Sequence, residues 1–147
     1  MTESSYSYYE AVDHPDHYNY GDIEVIDAIE GVTTQFPALI RYHIGNLIKY
    51  VARAPHKNEL QDIEKGQWYL KRASSNVVAL ATPMTPVLYS ISMKEFIASV
   101  INSYDKETRP FVNSFMQTIV FCGENYASTE AVLNDLAHDL ELIRKNY

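Results

Sequence analysis

Ile40, Ile44, Leu47, Ile48 and Val51 recur at i, i+4, i+7, i+8 and i+11. A strand would throw alternate members of this set onto opposite faces, whereas a helix gathers them on one. The segment is therefore predicted to form a core-facing helix. Pro37 suits its first turn, and Ala54-Pro55 ends it, because proline disfavours helical geometry in the residue before it. The same period returns along the chain. A short helix is predicted from about Asp22 to Glu30, with Ile23, Ile26 and Ile29 inward and acids in its first turn. Asn58 with Gln61 forms a capping box for a third helix, whose face carries Leu60, Ile63, Gln67 and Leu70 and is broadened by Trp68 and Tyr69. Ser92 and Glu95 repeat the device ahead of Met93, Phe96, Ile97, Val100, Ile101 and Tyr104. Pro110 opens a helix with Phe111, Val112, Phe115, Met116, Ile119 and Val120 on its apolar side. The last helix starts around Ser128 or Thr129 and buries Val132, Leu133, Leu136, Leu140 and Ile143.

Residues 74–91 hold no charge and two prolines, which marks a boundary, with a short extended crossover near 77–91. The fold class is mainly α: a compact helical domain of about six helices. Residues 1–12 read as a flexible, tyrosine-rich arm, 13–73 as the region that carries the chemistry, and 74–91 as a linker. Residues 92–147 read as helices packed on the same domain or forming an oligomer interface.

With 147 residues, 46% hydrophobic and 21% charged, the chain suits one domain with a real core, which excludes wholesale disorder. No run of roughly 18 apolar residues is present, and MTESSYSYYE lacks the basic-then-apolar signature of a signal peptide. The single cysteine, Cys122, sits in the apolar run TIVFC and reads as a buried inert thiol, which points to the cytoplasm. The net charge of −7 is uneven: residues 1–35 carry −8, 36–73 carry +4 and 74–147 carry −3. Duplex nucleic acid would want a broader basic surface and is not expected as a partner, nor is a membrane.

Lys49, Arg53 and Lys57 fall at i, i+4 and i+8 and stack on a single face if the helix runs that far. Three cations on one stripe repel each other, and an anion such as a phosphate would relieve them. The sequence holds no GxxxxGK[ST] and no GxGxxG, so phosphate contacts must come from side chains and helix ends. Asn46, Lys49 and Arg53 lie on adjacent turns, with Lys57 just beyond, and His56 adjoins them. The alternative is that Lys49 and Arg53 pair with Asp27, Glu30 or Asp62 as structural salt bridges. In the turn HPDHYNYG, His14 and His17 either pack on the core, touch a ligand or seat a metal. Among the tyrosines, Tyr18, Tyr20 and Tyr50 are best placed to stack on a base, with Trp68 behind them and read as core. So many tyrosines in a small chain also favour a homo-oligomer.

The runs DHPDHYNYG-IEVIDAIE, IGNLIKYVARA-HKN and LQDIEKGQWYL resemble a small phage-encoded family described as a domain of unknown function, over roughly residues 12–72. The chain departs from the family pattern at Asp13, where Asn is usual, at Ala52, where an aromatic is common, and at Gly66 in place of Ala. The family includes a small phage kinase that phosphorylates deoxynucleoside monophosphates without an ordinary phosphate-binding loop. The resemblance therefore implies a phage-type nucleotide-binding protein in the cytoplasm of an infected host, with phosphoryl transfer as the leading reaction. Lys49 and Arg53 would neutralise developing charge, while Asp27 or Asp62 holds Mg²⁺ or orients the acceptor hydroxyl. Two other readings stand beside it. One is a non-catalytic sponge that sequesters a nucleotide signal or blocks a host defence protein. The other is an all-α Mg²⁺-dependent pyrophosphatase, in which Asp27, Glu30, Glu59 and Asp62 share the metal.

Overall fold

The structure, a computed structural model, describes residues 19–20, 23–76 and 91–147. Among them are six α-helices: α1 (Val25–Thr33), α2 (Arg41–Arg53), α3 (Leu60–Asn76), α4 (Ile91–Asn102), α5 (Arg109–Asn125) and α6 (Thr129–Lys145). Two-residue strands β1 (Asn19–Tyr20) and β2 (Ile23–Glu24) pair antiparallel ahead of α1, with Asn19 opposite Glu24 and Tyr20 opposite Ile23. Short 3-10 turns, Ala38–Ile40 and Ala54–His56, bracket α2. The expected mainly α class and number of helices hold. The arm at 1–12 lies outside the described residues, as does the crossover expected near 77–91 except for Ile91, which begins α4.

The apolar stripe of α2 is buried throughout: Ile40, Ile44, Leu47, Ile48 and Val51 are all at most 2% exposed. Pro37 stands one step earlier than expected, in extended backbone (φ −55°, ψ 143°) before the first 3-10 turn. The first helix is a clearer correction. It begins at Val25, after Glu24 in extended backbone, instead of at Asp22. The inward set becomes Val25, Ala28 and Val32 with Ile29 partly buried, and Ile26 is left 52% exposed.

A glycine lies at the centre of the inward face of α3. A Cβ on Gly66 would stand 3.3 Å from Leu47 Cδ1 and 3.9 Å from Leu140 Cδ2, so its absence lets α3 sit close to both α2 and α6. That approach centres the inward face on Ile63, Gly66, Leu70 and Ala73. Leu60 and Trp68, expected inside, are swung out to 41% and 58% exposure. Gly45 does the same for α1, where a Cβ would lie 3.0 Å from Ile29 Cγ2.

The caps differ in kind. Ser128 Oγ accepts from Ala131 N at 3.3 Å and starts α6 as predicted. Pro110 stands in the first turn of α5. Ser92, however, is the second residue of α4 and does not precede it. The box at Asn58 is closed by Asp62 instead of Gln61: Asn58 N and Nδ2 donate to the Asp62 carboxylate at 3.4 and 3.5 Å.

α5 packs on α6 and α4, and α6 in turn reaches α3, so one apolar core runs from Val25 to Ile143. α5 is kinked at Phe121 (φ −112°, ψ 20°). Buried Gln35 occupies the break, its Nε2 donating to the carbonyls of Ile119 (3.2 Å) and Val120 (2.9 Å) while Oε1 accepts from Gly123 N at 2.8 Å. An interrupted ladder leaves carbonyls without partners, and here one amide side chain serves both sides of the gap. Among the described residues, no helix is long and apolar enough to cross a membrane.

Candidate functional site

The last residue of α2 and the first turn of α3 are tied by a fork. Arg53 Nε donates to Asp62 Oδ2 at 3.0 Å and Nη2 to Oδ1 at 3.2 Å. The Asp62 side chain is fully buried and that of Arg53 is 10% exposed. Both charges suit their helix ends, a cation in the last turn of α2 and an acid in the first turn of α3. The chain reaches this arrangement through the 3-10 turn Ala54–His56 and through Glu59, whose φ of 48° reverses its direction.

The fork overturns the idea of three cations on one rod. α2 ends at Arg53, and Lys57 lies beyond the 3-10 turn, exposed and non-helical (φ −139°, ψ −82°). Arg53 is engaged by Asp62, as the salt-bridge alternative anticipated for that residue. Lys49 makes no ion pair among the described residues; its ammonium lies 4.8 Å from the centre of the Tyr50 ring. The Arg53 guanidinium stands 4.9 Å from the same ring and the Lys65 ammonium 5.5 Å. Lys65 also reaches Asp62 at 3.9 Å, loosely.

Tyr50 stacks on Tyr69 with centroids 5.8 Å apart and planes 17° from parallel. From Tyr69 the aromatic surface continues to Tyr42 (6.2 Å, 75°) and to Trp68 (4.9 Å, 86°). Tyr42 is 68% exposed. Burial first, then the neighbouring Tyr42 and Tyr50, pushes the Tyr69 hydroxyl above its ordinary range, so this ring stays neutral near pH 7. Asn46 shares the α2 face, with its amide donating to Tyr42 O at 2.9 Å. His43 packs beside Tyr69, and its Nδ1 is buried without a hydrogen-bond partner among the described residues.

Of the residues singled out in the sequence, Asn46, Lys49 and Tyr50 therefore share one face of α2, with Arg53 at its end. His14, His17 and Tyr18 lie outside the described residues, as does the side chain of Tyr20. The acidic quartet does not assemble. Asp27 and Glu30 are exposed on α1, Glu59 is exposed in the turn, and Asp62 is taken by Arg53. Among the described residues, no three of His, Cys, Asp and Glu stand where they could hold a metal ion. Cys122 is the buried thiol expected, and burial pushes its pKa up to about 12.

Sequence reasoning missed Lys65, Tyr69 and Tyr42 as members of this face. Lys65, Tyr69 and Arg72 do fall at i, i+4 and i+7. That spacing was legible, but not that this side of α3 turns toward Tyr50.

Residues 12–71 match a family described as a protein of unknown function (DUF3310). Tyr42, Lys49, Tyr50, Lys65 and Tyr69 all lie inside the matched span, while α4, α5 and α6 lie outside it. No curated protein and no solved structure matches the chain.

Proposed function

We propose that the α2–α3 face binds a nucleotide or a nucleotide-like phosphate ligand, with the base against the Tyr50–Tyr69 pair and the phosphate between Lys49 and Lys65. The observation that carries this reading is the convergence of two lysines and one arginine on a single tyrosine ring. An aromatic surface supplies stacking for a base, and ammonium groups supply point charges for a phosphate. Arg53, held by Asp62, acts as a fixed strut behind the Tyr50 ring. Lys49 is the residue with most to gain from an anion, since no carboxylate among the described residues neutralises it. The proposal concerns binding. Phosphoryl transfer to a nucleoside monophosphate and sequestration of a nucleotide signal would both employ such a face, and turnover separates them.

The test is a titration with nucleoside mono-, di- and triphosphates, with and without Mg²⁺, followed by thermal shift and by the fluorescence of Trp68, the single tryptophan. We expect stabilisation by at least one nucleotide. Lys49→Ala should weaken binding on the order of tenfold while leaving the unliganded melting point nearly unchanged, because an exposed cation–π contact contributes only about 0.5–1 kcal/mol. Absence of any shift or quenching across the series would remove the proposal. With ATP and a deoxynucleoside monophosphate together, formation of a diphosphate would identify a kinase, and binding without turnover a sponge.

A further inference from the structure

Tyr42 and Trp68 are large, exposed rings that one bound nucleotide does not use. We infer that the face is a platform for single-stranded nucleic acid, engaging more than one base at once; this rests on the nucleotide-binding reading and extends it. The rings succeed one another at 5.8 Å from Tyr50 to Tyr69 and 6.2 Å from Tyr69 to Tyr42. Those steps are comparable with the separation of bases in an extended strand. Their orientation matters as much as their spacing. Tyr50 and Tyr69 are nearly parallel, but Tyr42 and Trp68 stand at 75° and 86° to Tyr69, so their faces point in different directions. Bases laid on such rings must be splayed apart, which a flexible single strand allows and a stacked duplex forbids.

Charge selects the same partner. Along the helix stripes that carry Tyr42, Lys49 and Tyr50 on α2 and Lys65, Tyr69 and Arg72 on α3, the one acid is Asp62. Its carboxylate is already forked by Arg53. Glu64, one turn before Trp68, marks the edge of the cationic strip. Lys49, Lys65 and Arg72 thus line the aromatic path on a chain whose net charge is −7, which makes this strip the local attraction for a polyanion. A second copy of the chain fits the face less well. A two-fold contact sets a patch against itself and would bring its cations together without adding an acid to offset them.

The experiment uses the full chain and a length series of dTMP, dT2, dT4 and dT10, with the matching uridine oligomers and a short duplex, read by Trp68 fluorescence and by anisotropy. Affinity should rise on the order of tenfold from dTMP to dT4, because further bases stack on further rings, and the duplex should bind no better than the mononucleotide. Tyr42→Ala should bring the affinity for dT4 down to that of the same variant for dTMP. Equal affinity for dTMP and dT4 would overturn the platform while leaving the nucleotide site standing. No binding by any member would remove both. Fluorescence that changes with protein concentration alone, in step with sedimentation as a dimer, would assign the face to a second copy and also overturn the proposal.

Discussion

At the scale of single residues, the Arg53–Asp62 fork governs how the sequence must be read. A buried guanidinium and a buried carboxylate each lose hydration, and only close pairing makes the arrangement tolerable. Two consequences can be separated by mutation. Asp62→Ala should destabilise the protein by about 3–5 kcal/mol, because it removes the forked carboxylate from a guanidinium whose side chain is 10% exposed. The double variant Arg53→Met, Asp62→Leu should recover most of that loss, since apolar groups of similar size need no partner there. Urea denaturation of the two variants checks both statements. A single variant that costs no more than the double would show that the pair is not coupled. The same fork explains why spacing misled. Offsets of i, i+4 and i+8 identify residues that share a face, but they do not say which of them finds a counter-ion in another helix.

At the scale of elements, the apolar periods were a sound guide and the glycines were the hidden variable. The stripe of Ile40 to Val51 and the set from Val132 to Ile143 are buried as predicted, because each helix has one strongly apolar side. On α1 and α3 the apolar residues spread wider than one face. There the helices approach closely at Gly45 and Gly66, and Ile26, Leu60 and Trp68 are left on the outer side. Gln35 belongs to this scale too. Nothing in its neighbourhood of sequence announces that it bonds to Ile119, Val120 and Gly123 across the molecule. Replacing it with Leu would leave two carbonyls and one amide N–H of the α5 kink without those partners. A loss of about 3 kcal/mol is expected, given roughly 1–3 kcal/mol for each stranded buried group and some repair by water. Gln35→Glu, which keeps the acceptor for Gly123 N but removes the donor, should also destabilise; a melting point equal to that of the parent would refute the account.

At the scale of the whole molecule, the division into a region of recognisable sequence and a remainder does not divide the core. α6 seals α3 through Leu140 beside Gly66, and Tyr104, two residues beyond α4, donates its hydroxyl to Val51 O on α2 at 2.5 Å. A fragment spanning residues 13–76 would expose that face of α3 and the inner side of α1. It should therefore lack a cooperative melt, as measured by circular dichroism, whereas the full chain should unfold in one transition. A fragment that melts cooperatively on its own would show that α4, α5 and α6 are a separate unit.

The sequence alone was enough for the helical class, the number of helices, the buried stripe of α2, the cap of α6 and the inert character of Cys122. These depend on local period and on what a nearby side chain can reach. Only the tertiary structure decided that Tyr50, Tyr69 and Lys65 meet, that Arg53 is held by Asp62, and that Trp68 faces outward. Such relations depend on the angle and closeness with which one helix lies on another. That geometry is set by contacts between residues far apart in the chain, among them the close approaches at Gly45 and Gly66.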